Sequence, residues 1–207
     1  MHYNTFLFDI DGTITDSTAA ILHSLQDLLL SEAHQSYTSD ELIFALGLPN
    51  TELGNHLGID GWETLLEEYG QKYYEKYVNT ITIFPEMEET IELLKYRGCK
   101  AGIVTSKTRN QFQGGFGSLP CAKLFDCVIC TDDTQFHKPH PAPLLDCMTR
   151  LGGTESDSIY IGDSQNDMLC AANAGIKGGL ALWGCYRAKG IEADYYIRNP
   201  SDLLAFI

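Results

Sequence analysis

The sequence predicts an α/β fold, a parallel sheet covered on both faces by helices, with an all-helical segment inserted after the first strand. Three observations point there. After Phe84-Pro85, short apolar runs of strand length alternate with helical patterns, the order that builds parallel sheets. Between the first strand and Pro85 the pattern is helical alone. The run Asp9-Ile10-Asp11-Gly12-Thr13 closes the apolar stretch Thr5-Phe6-Leu7-Phe8, which sets two carboxylates at the mouth of a buried strand.

Taken in order, Thr5 to Phe8 is the first strand. Residues two apart in a strand point to the same side, so Asp9 and Asp11 converge if pairing holds through both. A turn at Gly12 would let backbone N–H groups face whatever those carboxylates hold. Two like charges so close are unfavourable unless a cation neutralises them or one keeps its proton. Helices then follow at 17–31, 39–46, 51–57 and 61–78, joined by Gly, Pro and Asn turns. Tyr69, Tyr73 and Tyr77 recur at helical spacing on the last of these and read as a packing stripe. Met87, Ile91 and Leu94 mark the next helix, with Pro85 near its start and Gly98 past its end. Strands are expected at 100–105, 127–131, 158–161, 177–182 and 195–197, with helices at 141–151 and at 165–174, the latter stopped by Gly175. The domains expected are a core of residues 1–15 and 84–207 and a helical insertion of residues 16–83.

A chain of 207 residues and 23.0 kDa can bury a substantial core. No stretch approaches the ~20 apolar residues that span a bilayer, and the start lacks the basic and apolar regions of a secretory signal. A cytoplasmic location is therefore expected. Seven cysteines, an odd number scattered from Cys99 to Cys185, do not form a disulfide framework and read as reduced core thiols. Cys127 and Cys130 have metal-ligand spacing, but lie in a predicted strand where positions three apart face opposite sides. The net charge of −14 argues against a nucleic-acid footprint or an anionic membrane surface. Residues 16–83 carry 11 acidic side chains against two basic ones, Lys72 and Lys76.

Three further candidates fall where strands end, the edge at which open parallel sheets bind ligands. Ile103-Val104 leads into the hydroxyls of Thr105 and Ser106. His137-Lys138-Pro139 places a cation in the loop after the next strand. Ile159-Tyr160-Ile161 leads into Gly162-Asp163, with Asp167 one helical turn further on. With D-x-D-G-T at Asp9 to Thr13, Thr105, Lys138 and G-D-x-x-x-D at Gly162 to Asp167, the chain resembles the haloacid dehalogenase-like (HAD) hydrolase superfamily over essentially its whole length. Within it the likeness is to the phosphoglycolate phosphatase-like branch.

That resemblance implies a Rossmann-like core with an inserted helical cap, and an Mg²⁺-dependent phosphatase acting on a small phosphate ester. It implies Asp9 as nucleophile forming an aspartyl-phosphate, and Asp11 as the acid and base that serves the leaving oxygen and then the water. Mg²⁺ would be held by Asp9, the backbone carbonyl of Asp11 and Asp163, with Asp167 supporting its water shell. Thr105 and Lys138 would hold the phosphoryl oxygens, with Ser106 and Gly12 assisting. A carboxylate attacking a phosphate dianion needs a cation between them, and hard oxygen ligands suit Mg²⁺.

The rival readings are a sugar phosphomutase, a pyrophosphatase and a non-catalytic phosphate sensor. A phosphomutase must hold a second phosphate, for which residues 16–83 offer no Arg. A dehalogenase needs neither the metal nor a leaving-group acid. A phosphonatase needs a Schiff-base lysine, for which Lys72 and Lys76 are the candidates. Lys107, Arg109 or the Gly47-Leu48-Pro49-Asn50 turn are candidate partners for a substrate carboxylate. A monomer or homodimer is expected, with no nucleic-acid or membrane partner.

Overall fold

The structure is a computed structural model that describes residues 2–46, 48 and 50–207. It divides into two compact units, Met1–Thr15 with Ile83–Ile207, and Asp16–Thr82. The chain crosses between them at β2 (Thr15–Asp16) and β3 (Thr82–Ile83), two short strands paired with each other. The sequence reading had no strand at either place.

The first unit is a six-stranded parallel sheet. β1 (Thr5–Phe8) lies at its centre, with β4 (Lys100–Val104) and β5 (Cys127–Ile129) on one side and β6 (Ser158–Gly162), β7 (Lys177–Ala181) and β8 (Tyr195–Ile197) on the other. Phe8 pairs with Ile103 of β4 and Ile161 of β6, so these three strands end at nearly the same level. Chain order reverses on either side of β1, and such a switch point is where open sheets form a ligand crevice.

Side-chain alternation divides the core. Phe6, Phe8, Ile103 and Ile161 belong to one buried cluster, and Leu7, Val104, Ile129 and Tyr160 to the other. Cys127 packs against the second cluster and Cys130 lies in the first, and no cysteine is in a disulfide. The helices of this unit are α6 (Met87–Tyr96), α7 (Arg109–Gly114), α8 (Ala142–Leu151) and α9 (Gln165–Ala174). In α9, Ser164 and Asp167 form a reciprocal capping box, and Gly175 ends the helix in the left-handed region at φ 71°. The short α7 falls where the sequence alternates helical patterns with strands but was given no bounds there; Thr108 and Gln111 carry the same capping signature.

The second unit contains α1 (Thr18–Glu32), α2 (Ser39–Leu42), α3 (Asn50–Leu57), α4 (Trp62–Leu65) and α5 (Gln71–Tyr74). It has its own core, including Leu25, Leu28, Leu29, Leu42, Trp62 and Tyr73. The single helix expected at 61–78 runs unbroken from Trp62 to Tyr74, α4 and α5 being joined through a π-helical stretch at Leu66–Gly70, and ends four residues short of the expected bound. Gly70 lies inside the run, where glycine is about 1 kcal/mol less favourable than alanine. Tyr73 is buried and donates to Glu32, while Tyr77 donates to Asp27, which fits the packing reading of the tyrosine stripe.

Candidate active site

At the C-terminal edge of the sheet the ladder continues for one residue beyond β1, with Asp9 N–H donating to Ile161 O at 2.9 Å. There it stops. The N–H groups of Thr13, Ile14 and Thr15 all turn back to Ile10 O, at 3.2, 2.8 and 2.9 Å. Sheet pairing therefore does not reach Asp11, and the expectation that Asp9 and Asp11 converge as strand neighbours is corrected. Asp9 is buried, whereas Asp11 rides on the loop with its carboxylate 2.8 Å from Lys107 Nζ. Gly12 corrects a second expectation. Its N–H donates to Thr15 O at 2.9 Å, so that amide is engaged inside the turn.

What Gly12 supplies is space. It sits at φ 74°, and a Cβ there would lie 2.3 Å from Asp163 Oδ2. Gly184, after β7, approaches the same turn, and a Cβ on it would come 1.7 Å from Gly12 O. Beside it, Trp183 Nε1 donates to Thr13 O at 2.8 Å. This brace on the Asp9–Thr13 turn was not read from the sequence, because Trp-Gly after a strand has no distinctive spacing.

Three carboxylates meet where β1 and β6 end. Asp9, Asp163 and Asp167 each offer an oxygen within 4.8 Å of the others. Lys138 Nζ donates to Asp9 Oδ1 at 2.9 Å and to Asp167 Oδ1 at 2.8 Å. Asp11's carboxylate is not one of the three, and one of its oxygens, Oδ1, is buried with no hydrogen-bond partner. Thr105 and Ser106 line a small recess with Lys138, joined by Thr131, Thr134, His137 and Pro143. Thr105 is buried, and its hydroxyl accepts from Lys107 N–H at 3.2 Å, while Ser106 is exposed. Arg109 does not serve this edge: its guanidinium holds Val128 O and Asp133. Of the 47–50 turn, Gly47 and Pro49 lie outside the described residues.

The electrostatics follow from burial around one cation. Burial pushes Asp9 up to about 7 against the opposing pull of Lys138. Burial also raises Asp163 well above the usual carboxylate range, with Asp167 and Asp9 adding to it. For Asp167, burial acts upward but is outweighed by Lys138, Ser164 and Tyr160, which hold it low. For Lys138, burial acts downward but Asp167 and Asp9 outweigh it and keep the ammonium charged.

When ionised, these three clustered carboxylates outnumber the one ammonium, and hard oxygen donors of this kind fit a hard divalent cation that would take the place of their protons. Mg²⁺ added to chelator-treated protein should raise the melting temperature. At a hundred times its dissociation constant the gain is about 2.7 kcal/mol, or roughly 5–10 °C for a chain of this size. The gain should be larger at pH 8 than at pH 5. A raised folded-state pKa at Asp9 stabilises the metal-free fold below its unfolded value, and that contribution is lost as pH rises through about 7. A melting temperature unmoved by Mg²⁺ at pH 8 would count against a cation site.

Residues 6–181 match the family described as haloacid dehalogenase-like hydrolase. The chain belongs to the haloacid dehalogenase-like hydrolases. Curated relatives of this HAD enzyme include two proteins named pyrophosphatase PpaX. The one from Bacillus pumilus is 29% identical, with 99% of this chain and 96% of the relative aligned. The one from Halalkalibacterium halodurans is also 29% identical, over 100% of this chain and 98% of the relative. Among solved structures, one from Lactobacillus plantarum described as a "putative phosphoglycolate phosphatase" superposes with a TM-score of 0.90 at 27% identity, covering 100% of both chains. The expected α/β core with a Rossmann-like parallel sheet is the fold observed, and it is the fold of these HAD neighbours.

Proposed function

We propose that this chain is a divalent-cation-dependent phosphatase that hydrolyses a small phosphate ester through an aspartyl-phosphate on Asp9. The observation that carries this reading is the cluster of Asp9, Asp163, Asp167 and Lys138 at the carboxyl ends of β1 and β6. Such a cluster suits a dianionic group that must be approached by a carboxylate.

In this reading an Asp9 oxygen attacks phosphorus as the bond to the leaving oxygen breaks, and Asp11 supplies the leaving group's proton. Asp11 then takes a proton from the water that attacks the phosphorus of the acyl phosphate, releasing phosphate and restoring Asp9. Mg²⁺, held by Asp9, Asp163 and the backbone carbonyl of Asp11, would neutralise charge between the nucleophile and the phosphoryl oxygens. Thr105 and Lys138 would hold those oxygens, with Ser106 at the open side. Lys107 keeps a positive charge beside Asp11, where an anionic leaving group would depart.

That last contact, with the pyrophosphatase names of the full-length relatives, favours pyrophosphate as a second reading of the substrate. Phosphoglycolate shares the anionic leaving portion. A Schiff-base mechanism is disfavoured, since Lys72 pairs with Glu32 and Lys76 with Asp27, both against the Tyr73 ring. The unpaired thiols fit a reducing compartment, so we place the enzyme in the cytoplasm. Among the described residues no helix is long and apolar enough to cross a membrane.

The test is phosphate release from p-nitrophenyl phosphate, pyrophosphate, phosphoglycolate and a hexose phosphate, with Mg²⁺ and with chelator. Mg²⁺-dependent release from at least one is expected, with pyrophosphate or phosphoglycolate turned over at least ~10-fold more efficiently than the hexose phosphate. Interconversion of sugar-phosphate isomers without phosphate release would replace this reading with a mutase. No turnover of any of them would replace it with a sensor.

A further inference from the structure

We propose that Tyr160, a buried residue of β6, is a positioning residue whose hydroxyl holds Lys138 and Asp167 in their working geometry. This rests on the phosphatase reading above. The position lies in an apolar strand run, Ile159-Tyr160-Ile161, and its ring packs among Leu7, Val104 and Cys170. Phenylalanine would fill that space equally well. The hydroxyl is therefore unexplained by packing, and a buried hydroxyl without partners would be unfavourable.

It has three partners. Tyr160 Oη accepts from Lys138 Nζ at 3.2 Å, and it lies 2.9 Å from Asp167 Oδ1 and 3.2 Å from Val104 O. Val104 immediately precedes Thr105, so one atom joins, from behind the sheet edge, the segments that carry Thr105, Lys138 and Asp167. Burial, with Asp167 and Asp9 nearby, keeps the phenol protonated and able to donate.

The effect on each partner is specific. A lysine ammonium has three donors, and without substrate those of Lys138 go to Asp9, Asp167 and Tyr160; a phosphoryl oxygen would take over the donor now on Asp9, while Asp167 and Tyr160 keep the other two. Asp167 is engaged on both oxygens: Oδ1 by Lys138 and Tyr160, Oδ2 by Ser164 N–H at 3.1 Å and Ser164 Oγ at 2.6 Å. Held in this way, Asp167 is the fixed counter-ion of Lys138, and Asp9 and Asp163 remain to face cation and substrate. Without the Tyr160 hydroxyl, Lys138 loses one of three restraints and Asp167 keeps only one donor on Oδ1.

Preorganised charge acts on the transition state more than on the ground state. Tyr160→Phe should therefore lower kcat for p-nitrophenyl phosphate about 10-fold with KM within about 2-fold. In calorimetry with Mg²⁺ present, orthovanadate, which adopts a five-coordinate geometry, should bind about 10-fold more weakly, and inorganic phosphate no more than about 2-fold more weakly. Site-specific 3-fluorotyrosine at 160 keeps ring and hydroxyl and should restore at least half of wild-type kcat. It also decides the matter if Tyr160→Phe does not fold. Equal weakening of both anions, a kcat within 2-fold of wild type for Tyr160→Phe, or failure of fluorotyrosine to rescue would overturn the proposal. The vanadate-to-phosphate comparison needs no turnover, so it separates this inference from the phosphatase reading, which wild-type turnover tests.

Discussion

Asp9→Asn should reduce phosphate release to background, a loss of at least about 10⁴-fold, while the protein stays folded. The magnitude follows from the role proposed for Asp9: a nucleophile that forms a covalent intermediate would have no substitute, whereas one lost electrostatic donor costs only about 10²–10³. The stability of the variant goes the other way. Asp9 is a buried carboxylate raised to about 7, so in metal-free wild-type protein its proton stabilises the fold at acid pH and that contribution is lost as pH rises through 7. Asparagine has no charge to bury. Metal-free Asp9→Asn should melt at or above the wild-type temperature at pH 8, the gap closing towards pH 4. Residual turnover above about 1% of wild type would exclude Asp9 as the nucleophile, and a collapse in melting temperature would mean that the loss reflects unfolding.

Lys138→Met, at the other end of the same 2.9 Å ion pair, should combine loss of activity with loss of stability. Methionine matches the chain length and removes the ammonium, leaving Asp9 and Asp167 buried without their shared cation. Breaking a buried pair by deleting one partner costs about 3–5 kcal/mol, which lowers the melting temperature by roughly 6–20 °C. Turnover should fall about 10²–10³-fold, as for loss of a charge aimed at the phosphoryl oxygens. Here too the pH trend has a sign. Lys138 helps to hold Asp167 below the usual carboxylate range, and a depressed pKa contributes stability above the unfolded value that disappears on acidification. The variant's deficit should therefore be largest near neutrality and shrink below about pH 4. A deficit independent of pH would show that Lys138 stabilises by packing alone.

These two experiments bear on residues legible in the linear sequence, and the reason is local. Asp9, Thr105, Lys138 and Asp163 each stand just after an apolar strand run or in a loop between elements, so periodicity alone assigns them to the ligand-binding edge of the sheet. Asp167 is legible from its one-turn spacing to Asp163. Strand boundaries were placed within one or two residues because apolar runs end sharply at Asp9, Thr105 and Asp163. In residues 16–83 the last helix, expected to reach residue 78, ends at Tyr74 and widens to a π-helix over Leu66–Gly70, which regular spacing does not foretell.

Tyr160 illustrates what was hidden. In a run of buried strand residues a tyrosine is indistinguishable from a phenylalanine until the atom beyond its ring is placed. Lys107 is similar: the sequence offers it as a partner for a substrate carboxylate, and only the structure shows it 2.8 Å from Asp11. The Gly12 turn is a third case, since the sequence predicts a turn there but not that its amide closes onto Thr15.

By itself the sequence determined the class of fold, the sheet edge at which the candidate residues lie and the kinds of group placed there. Apolar periodicity is a property of neighbours along the chain, and the site residues sit at its interruptions. Only the tertiary structure decided which groups touch: Lys138 on Asp9 and Asp167, Tyr160 beneath both, and Asp11 turned to Lys107. Those contacts join residues up to 129 positions apart, and their geometry depends on strand register, turn closure and burial, none of which any single segment encodes.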